Sequence, residues 1–115
     1  MTPEEKMRRI DDLLSHVWMV RTFVKHSEEA EEDDDLHDVH RGLYDYMLAL
    51  GNAWKQQEAE AYLKQSRKKL RRLKEAAELF TEVQPEVSTH TNFQMARQSL
   101  EVAVRQIIDL LETDE

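Results

Sequence analysis

Cysteine is absent from this chain, and only two glycines and two prolines occur among its 115 residues. Without cysteine, the chain has neither a disulfide framework nor a cysteine-based zinc site or nucleophile. Two glycines exclude a glycine-rich phosphate-binding loop, and the scarcity of turn residues excludes an all-β domain. The length also excludes a (β/α)8 barrel, which needs at least ~200 residues.

The chain also lacks long apolar runs and an excess of positive charge. No apolar run approaches the ~20 residues of a membrane span, and the N-terminal sequence MTPEEKMRRI has no apolar segment typical of a signal peptide. The net charge of −8 repels nucleic acid on average. We therefore expect a cytoplasmic protein with no membrane partner and no general affinity for nucleic acid.

Strong helix formers dominate what is present, because Leu, Glu, Ala, Arg and Lys make up nearly half of the chain. Apolar residues recur at helical spacing in four segments, which separates this charged sequence from a disordered one. The spacing predicts helices at about residues 3–28, 35–50, 55–84 and 91–112. The chain is thus expected to be all-α and to form a single domain over residues 1–115.

Local motifs predict how these helices start. Thr2-Pro3-Glu4-Glu5 contains the cap, the first-turn proline and the glutamate of a capping box. One aspartate of Asp33-Asp34-Asp35 is expected to cap the second helix. Thr91 with Gln94 is expected to box the start of the fourth helix, with Ser88 or Thr89 as alternative caps.

Two breakers predict how the middle helices end. Gly51-Asn52 is expected to stop the second helix, and Pro85 is expected to stop the third at residue 84. Short connections make consecutive helices antiparallel, so the simplest architecture is an antiparallel up-down-up-down four-helix bundle. The main alternative is a three-helix core whose long hairpin is swapped into a dimer.

The first helix is apolar on more than one side. Ile10 and Val17 belong to its main apolar stripe, while Met19 and Phe23 lie opposite and Trp18 lies on the flank. Burial on two sides is the usual reason for such a pattern. We expect Trp18, Met19 and Phe23 to form the face of a homodimer or to contact a protein partner. In the alternative, the other helices of the same chain cover them.

Charge is unevenly distributed along the chain. The acidic connection, residues 28–38, contains eight Asp and Glu, and the basic segment, residues 64–74, contains seven Lys and Arg. Counting residues along the predicted second and third helices places the two level with each other, which favours mutual neutralisation. The alternative is a patch for an anionic partner, including nucleic acid. Its residues would be Lys64, Arg67, Lys68, Arg71 and Arg72.

The predicted topology brings several histidines to one end of the bundle. The candidates for a metal site there are His26, His37, His40 and His90, with Glu86. Imidazole and carboxylate ligands suit divalent transition metals such as zinc, iron or nickel. However, the spacings match neither a di-iron bundle nor a zinc-protease helix, and helix caps with surface histidines are the simpler interpretation.

Arg21 and His26 form an Arg-x4-His pattern in Arg21-Thr22-Phe23-Val24-Lys25-His26. It resembles the signature of the HEPN ribonucleases, which are all-α bundles that cleave RNA, usually as dimers. The resemblance implies that Arg21 would hold the phosphate and His26 would act as acid or base. The pattern departs from that family by lying on the first helix.

A second resemblance covers residues 16–32, from His16-Val17-Trp18-Met19-Val20-Arg21 to Glu32. This stretch is similar to part of a small bacterial all-α family in which some members are labelled amidohydrolases. The label implies a barrel several times larger than this chain and a metal-binding His-x-His that the sequence lacks. Its chemistry is therefore not transferred to this chain.

No serine lies in a nucleophile elbow, so the sequence contains no demonstrable catalytic motif. The function expected first is a small self-associating helical-bundle interaction module that needs no cofactor; whether it is an enzyme is left open, and the lack of a catalytic motif favours that it is not. The alternative is a metal-binding or metal-dependent hydrolytic bundle that uses the histidine-bearing end. A HEPN-like ribonuclease is the third hypothesis.

Overall fold

The computed structural model describes residues 1–113, which form four α-helices. These are α1 (Pro3–Lys25), α2 (Asp34–Lys55), α3 (Ala59–Val87) and α4 (Thr91–Glu112), with one 3-10 turn at Glu29–Glu31 between α1 and α2. Each helix packs against the next one along the chain, and α4 packs against α1, which closes the bundle within one chain. The prediction of an all-α four-helix bundle is confirmed.

Side chains cap three of the helices at their N-termini. The hydroxyl of Thr2 accepts a hydrogen bond from the Glu5 amide at 3.1 Å, and the Glu5 carboxylate accepts one from the Thr2 amide at 3.0 Å. Asp33 accepts from the Leu36 amide at 3.0 Å, so both of these predicted caps are confirmed. At α4, however, the cap is His90, whose Nδ1 accepts from an amide at 3.0 Å, because a neutral imidazole has a free lone pair.

The predicted helix ends are displaced. The helix continues through Gly51, and α2 extends to Lys55, because the packing of Ala53 and Trp54 against the core stabilises the additional turn. The left-handed conformation that follows falls on Gln57, at φ 54°. At the other end of the molecule, α1 ends at Lys25 rather than at residue 28, with His26 as its C-terminal cap.

Pro85 also fails to end its helix. It lies inside α3, which continues to Val87. The proline removes one backbone hydrogen bond, to the carbonyl of residue 81, and its ring crowds that carbonyl. Only two helical residues follow it, so any distortion affects just the end of α3. The burial of Val83 and Gln84 and the packing of Val87 on the core compensate for that loss.

The longer α2 changes the register between α2 and α3. Asp45 lies 2.9 Å from Arg72, and Gly42 lies directly opposite Ala76. The basic segment therefore lies beside the second half of α2, not level with the acidic connection. The expected neutralisation between the two within one chain is wrong, because the turn falls at residues 56–58 instead of immediately after Gly51. Neutralisation between the two chains of a dimer stays a prediction.

The core consists of one apolar stripe from each helix. On α3, the residues of this stripe are buried except for Leu70, which is half-buried; they are Ala59, Leu63, Ser66, Leu70, Leu73, Ala77 and Phe80. The hydroxyl of the buried Ser66 donates to the carbonyl of Tyr62 at 2.8 Å. This bond satisfies a polar group that would otherwise be costly to bury. Within residues 1–113, no helix is both long enough and apolar enough to cross a bilayer.

Candidate functional sites

The first helix has neighbours on several sides, since α1 packs against α2, α3 and α4. The three residues expected at a partner interface are consequently separated. Phe23 is half-buried and packs edge-on against Phe93, with ring centroids 4.9 Å apart. Met19 remains 65% exposed, and Trp18 is 45% exposed on the other flank of the helix.

A groove runs along the surface between α1 and α4. His16 and Ser99 face each other across it with side-chain atoms 3.4 Å apart, and its volume is about 490 Å³. The residues that line this α1–α4 groove are Leu13, His16, Met95, Gln98, Ser99, Val102, Ala103 and Gln106. Met95 is 52% exposed, and Met19 follows His16 by three positions on the same side of α1.

The α1–α4 groove carries no Asp, Glu, Lys or Arg among its lining residues. With 35% of the chain charged, eight positions would carry about three such residues on average. Depletion of charge is found at the centre of protein–protein interfaces, where methionine, here Met95, is also common. Arg97 and Glu101, two of the charged residues of α4, lie outside this lining and pair with each other at 2.7 Å.

A second cavity lies between α1 and α2. It has a volume of about 430 Å³, and we call it the cationic pocket. Its lining residues are Arg21, Lys25, His40, Arg41, Tyr44 and Asp45. The two residues from α1 are four positions apart and the four from α2 lie within residues 40–45, so each group extends over little more than one helical turn.

Aromatic rings hold Arg21 in the cationic pocket. Its guanidinium carbon lies 4.7 Å from the ring centre of Trp18 and 4.8 Å from that of Tyr44. These are cation–π contacts, which use the faces of the rings and none of the N–H donors. The Nε of Arg21 is buried and has no hydrogen-bond partner within residues 1–113.

The five residues proposed as an anionic-partner patch lie on α3, and all are exposed. Arg72 pairs with Asp45, Arg71 lies 3.6 Å from Glu75, and the Nε of Arg67 donates to a backbone carbonyl of α4 at 3.2 Å. Lys64 and Lys68 form no ion pair in the part of the chain that the structure describes. The patch is therefore accessible but partly neutralised.

The histidine-bearing end does not assemble a metal centre. The rings of His37 and His40 are 5.2 Å apart, but His26 ends α1 and His90 caps α4. Within residues 1–113, no three His, Asp or Glu side chains, including Glu86, form a group that could hold a metal ion. The metal site stays a prediction that this arrangement does not support.

The arginine and histidine of the Arg-x4-His pattern also lie in different surroundings. Arg21 lines the cationic pocket, whereas His26 is an exposed cap and does not line it. The histidine that shares a cavity with Arg21 is His40, from α2. Burial, followed by the positive charges of His37 and the nearby basic side chains, lowers the pKa of His40 below its ordinary value.

A third cavity, of about 290 Å³, lies among both tryptophans and the buried Tyr62. The hydroxyl of Tyr62 has no hydrogen-bond partner within residues 1–113, and burial raises the pKa of this phenol. Burial also raises the pKa of Asp11, and repulsion from Asp12 adds to it. The carboxyl of Asp11 is thus poorly solvated for an ionised group.

Comparison with known proteins does not assign this chain to a family. No protein-family model matches it, and no curated protein or solved structure is significantly similar to it.

Sequence reasoning missed the α1–α4 groove and the cationic pocket. The uncharged side of α4 was visible as Met95, Ser99, Val102 and Gln106, which recur at spacings of four, three and four. The cationic pocket was not visible, because its basic residues come from two helices whose crossing point depends on tertiary packing.

Proposed function

We propose that the protein is a non-catalytic interaction module that self-associates through the α1–α4 groove. The observation that carries the proposal is the absence of charged side chains from this groove in a chain that is 35% charged. Methionine at such a surface adapts its shape to a partner, because its side chain is unbranched and flexible. The cytoplasmic location expected from the sequence is part of the proposal.

A second copy of the chain is the partner that the charge distribution favours. Two molecules of net charge −8 repel each other on approach. An uncharged face allows them to meet without placing like charges in contact, and it is complementary to itself without needing an oppositely charged partner. Two such faces related by a two-fold axis give a closed dimer.

Sedimentation of matched variants tests this interface. Met95→Glu places a charge in the groove twice per dimer, and we expect it to weaken the dimer at least tenfold, as loss of a central interface residue does. Leu48→Glu is the control, because Leu48 is 63% exposed on α2, outside the groove. Dimerisation that is equally weak in both variants would contradict the groove as the interface.

Ionic strength provides a second test. Because screening weakens the repulsion between two acidic chains, the dimer should tighten as salt rises from about 0.05 to 0.5 M. A wild-type chain that stays monomeric at about 0.1 mM in high salt would refute self-association. Phe23→Asp is unsuitable here, because Phe23 packs on Phe93 within the chain and its loss also destabilises the fold.

A further inference from the structure

The cationic pocket concentrates positive charge on an acidic protein. Arg21, Lys25 and Arg41 line it, and none of the three forms an ion pair with another residue in the range 1–113. The carboxylate in its lining, Asp45, is 2.9 Å from Arg72 and is thus engaged outside the group. Three cations that share one cavity repel each other. They are not neutralised by ion pairs although the chain contains 24 Asp and Glu.

Arg21 is prepared to bind an acceptor. Contacts with the rings of Trp18 and Tyr44 restrict its guanidinium, which lowers the entropy that would be lost on binding. Its buried Nε lacks a partner within the described part of the chain. A buried N–H is rarely left unpaired in a folded protein, so the described part of the chain does not complete the hydrogen bonds of this guanidinium.

The chemistry of the group selects the kind of anion. Arginine presents a planar fork of N–H donors that matches the oxygens of phosphate, and lysine adds a point charge. A carboxylate with one negative charge would leave most of the positive charge in the pocket uncompensated, whereas a phosphate dianion compensates most of it. A cavity of about 430 Å³ also holds more than a phosphate ion, and it lies in the size range of small-molecule sites.

We propose that the cationic pocket binds the phosphate group of a small phosphomonoester, with Arg21 and Arg41 as the principal ligands of its oxygens. Lys25 supplies a third positive charge, and Tyr44 borders the space left for the rest of the molecule. The pocket lies on the α2 side of α1, whereas the groove proposed for self-association lies on the α4 side. Either proposal can therefore fail while the other holds.

Titration with phenyl phosphate, followed by NMR of the backbone and of the arginine Nε–H groups, tests the site. We expect saturable shifts at the pocket residues, with the Nε–H of Arg21 among the strongest, and weaker saturable binding of inorganic phosphate. Sodium chloride at equal ionic strength should give no saturable shift. Absence of saturation with both phosphates would overturn the proposal.

Charge-removing variants distinguish a built pocket from general attraction of anions. Arg41→Gln, at an exposed position where the fold is not at risk, should weaken phenyl phosphate at least tenfold. Arg71→Gln removes the same charge from a side chain that is 90% exposed on α3, and should change affinity less than twofold. Equal losses in the two variants would indicate diffuse binding of anions to the basic surface and would overturn the pocket.

The pKa of His40 provides a further test, because it responds to the charge of a ligand bound in the pocket. The groups that face it from α1 and α2 are Arg21, Lys25, His37, Arg41, Tyr44 and Asp45. A bound dianion offsets the positive charge around His40, so saturating phenyl phosphate should raise the pKa of this imidazole, measured from its ring resonances. An unchanged pKa of His40 at saturation would place the ligand elsewhere.

Discussion

Replacing Gly51 by alanine is expected to stabilise the protein, whereas replacing Gly42 by alanine is expected to destabilise it, although both glycines lie in α2. At Gly51, a new Cβ would meet nothing within 4 Å. At Gly42, the Cβ would lie 2.9 Å from the Cβ of Ala76. Neither glycine has a positive φ, so neither backbone conformation resists alanine.

The magnitudes follow from two terms. Alanine improves helix propensity over glycine by about 1 kcal/mol at either position, and this gain cancels when the two variants are compared. Only Gly42→Ala also brings two carbons closer than the ~3.5–4.0 Å of an ordinary contact. Overpacking of this kind costs about 1–3 kcal/mol. Gly51→Ala should therefore exceed Gly42→Ala in stability by about 1–3 kcal/mol.

Urea and thermal unfolding measure this difference. For a chain of this size, 1 kcal/mol corresponds to about 4 °C in Tm, so the two variants should differ by about 4–12 °C. The double variant Gly42→Ala/Ala76→Gly restores the clearance and should show a favourable coupling of similar size. A Gly42→Ala protein as stable as Gly51→Ala would refute the close approach of α2 and α3, and with it the register that places the basic segment.

Two further predictions concern buried polar groups. Tyr46→Phe should lower the free energy of unfolding in urea by about 1 kcal/mol, because the Tyr46 hydroxyl donates to the Ser66 carbonyl at 3.3 Å. Tyr62→Phe should leave this free energy unchanged, because the Tyr62 hydroxyl has no partner within residues 1–113. Equal losses in the two variants would contradict this difference. Burial raises the pKa of Asp11 above its ordinary value of 3.8, so stability that is present below pH 3.8 is lost as the pH rises through the folded-state pKa. Asp11→Asn should therefore raise the urea midpoint at pH 7 and leave it unchanged near pH 3; equal shifts at both pH values would contradict the argument.

The difference between predicted and observed helix ends explains most of what sequence reasoning missed. Gly51 and Pro85 are correct local signals for a helix end, yet the helices continue past both because Trp54 and Val87 pack against the core. Such packing involves residues distant in sequence, so no local motif reports it. The resulting displacement is only a few residues, but it moved the basic segment away from the acidic connection.

The candidate sites divide in the same way. The uncharged side of α4 follows from residues on one helix, so it was readable from the spacing of Met95, Ser99 and Val102. The position of Arg21 near Arg41 depends on how α1 and α2 cross, so it could not be predicted from the sequence. His90 was assigned to a metal end, but it caps α4, because its imidazole Nδ1 accepts from a backbone amide.

The sequence by itself determined the helical class, the four segments, their buried stripes and two of the three side-chain caps. These depend on hydrogen bonds and apolar contacts between residues three or four positions apart, and such spacings are visible in the sequence itself. Only the tertiary structure decided where the helices end, which charges lie opposite each other and which side chains share a cavity. These depend on helix register and crossing, which are set when distant apolar residues pack together to bury their surface.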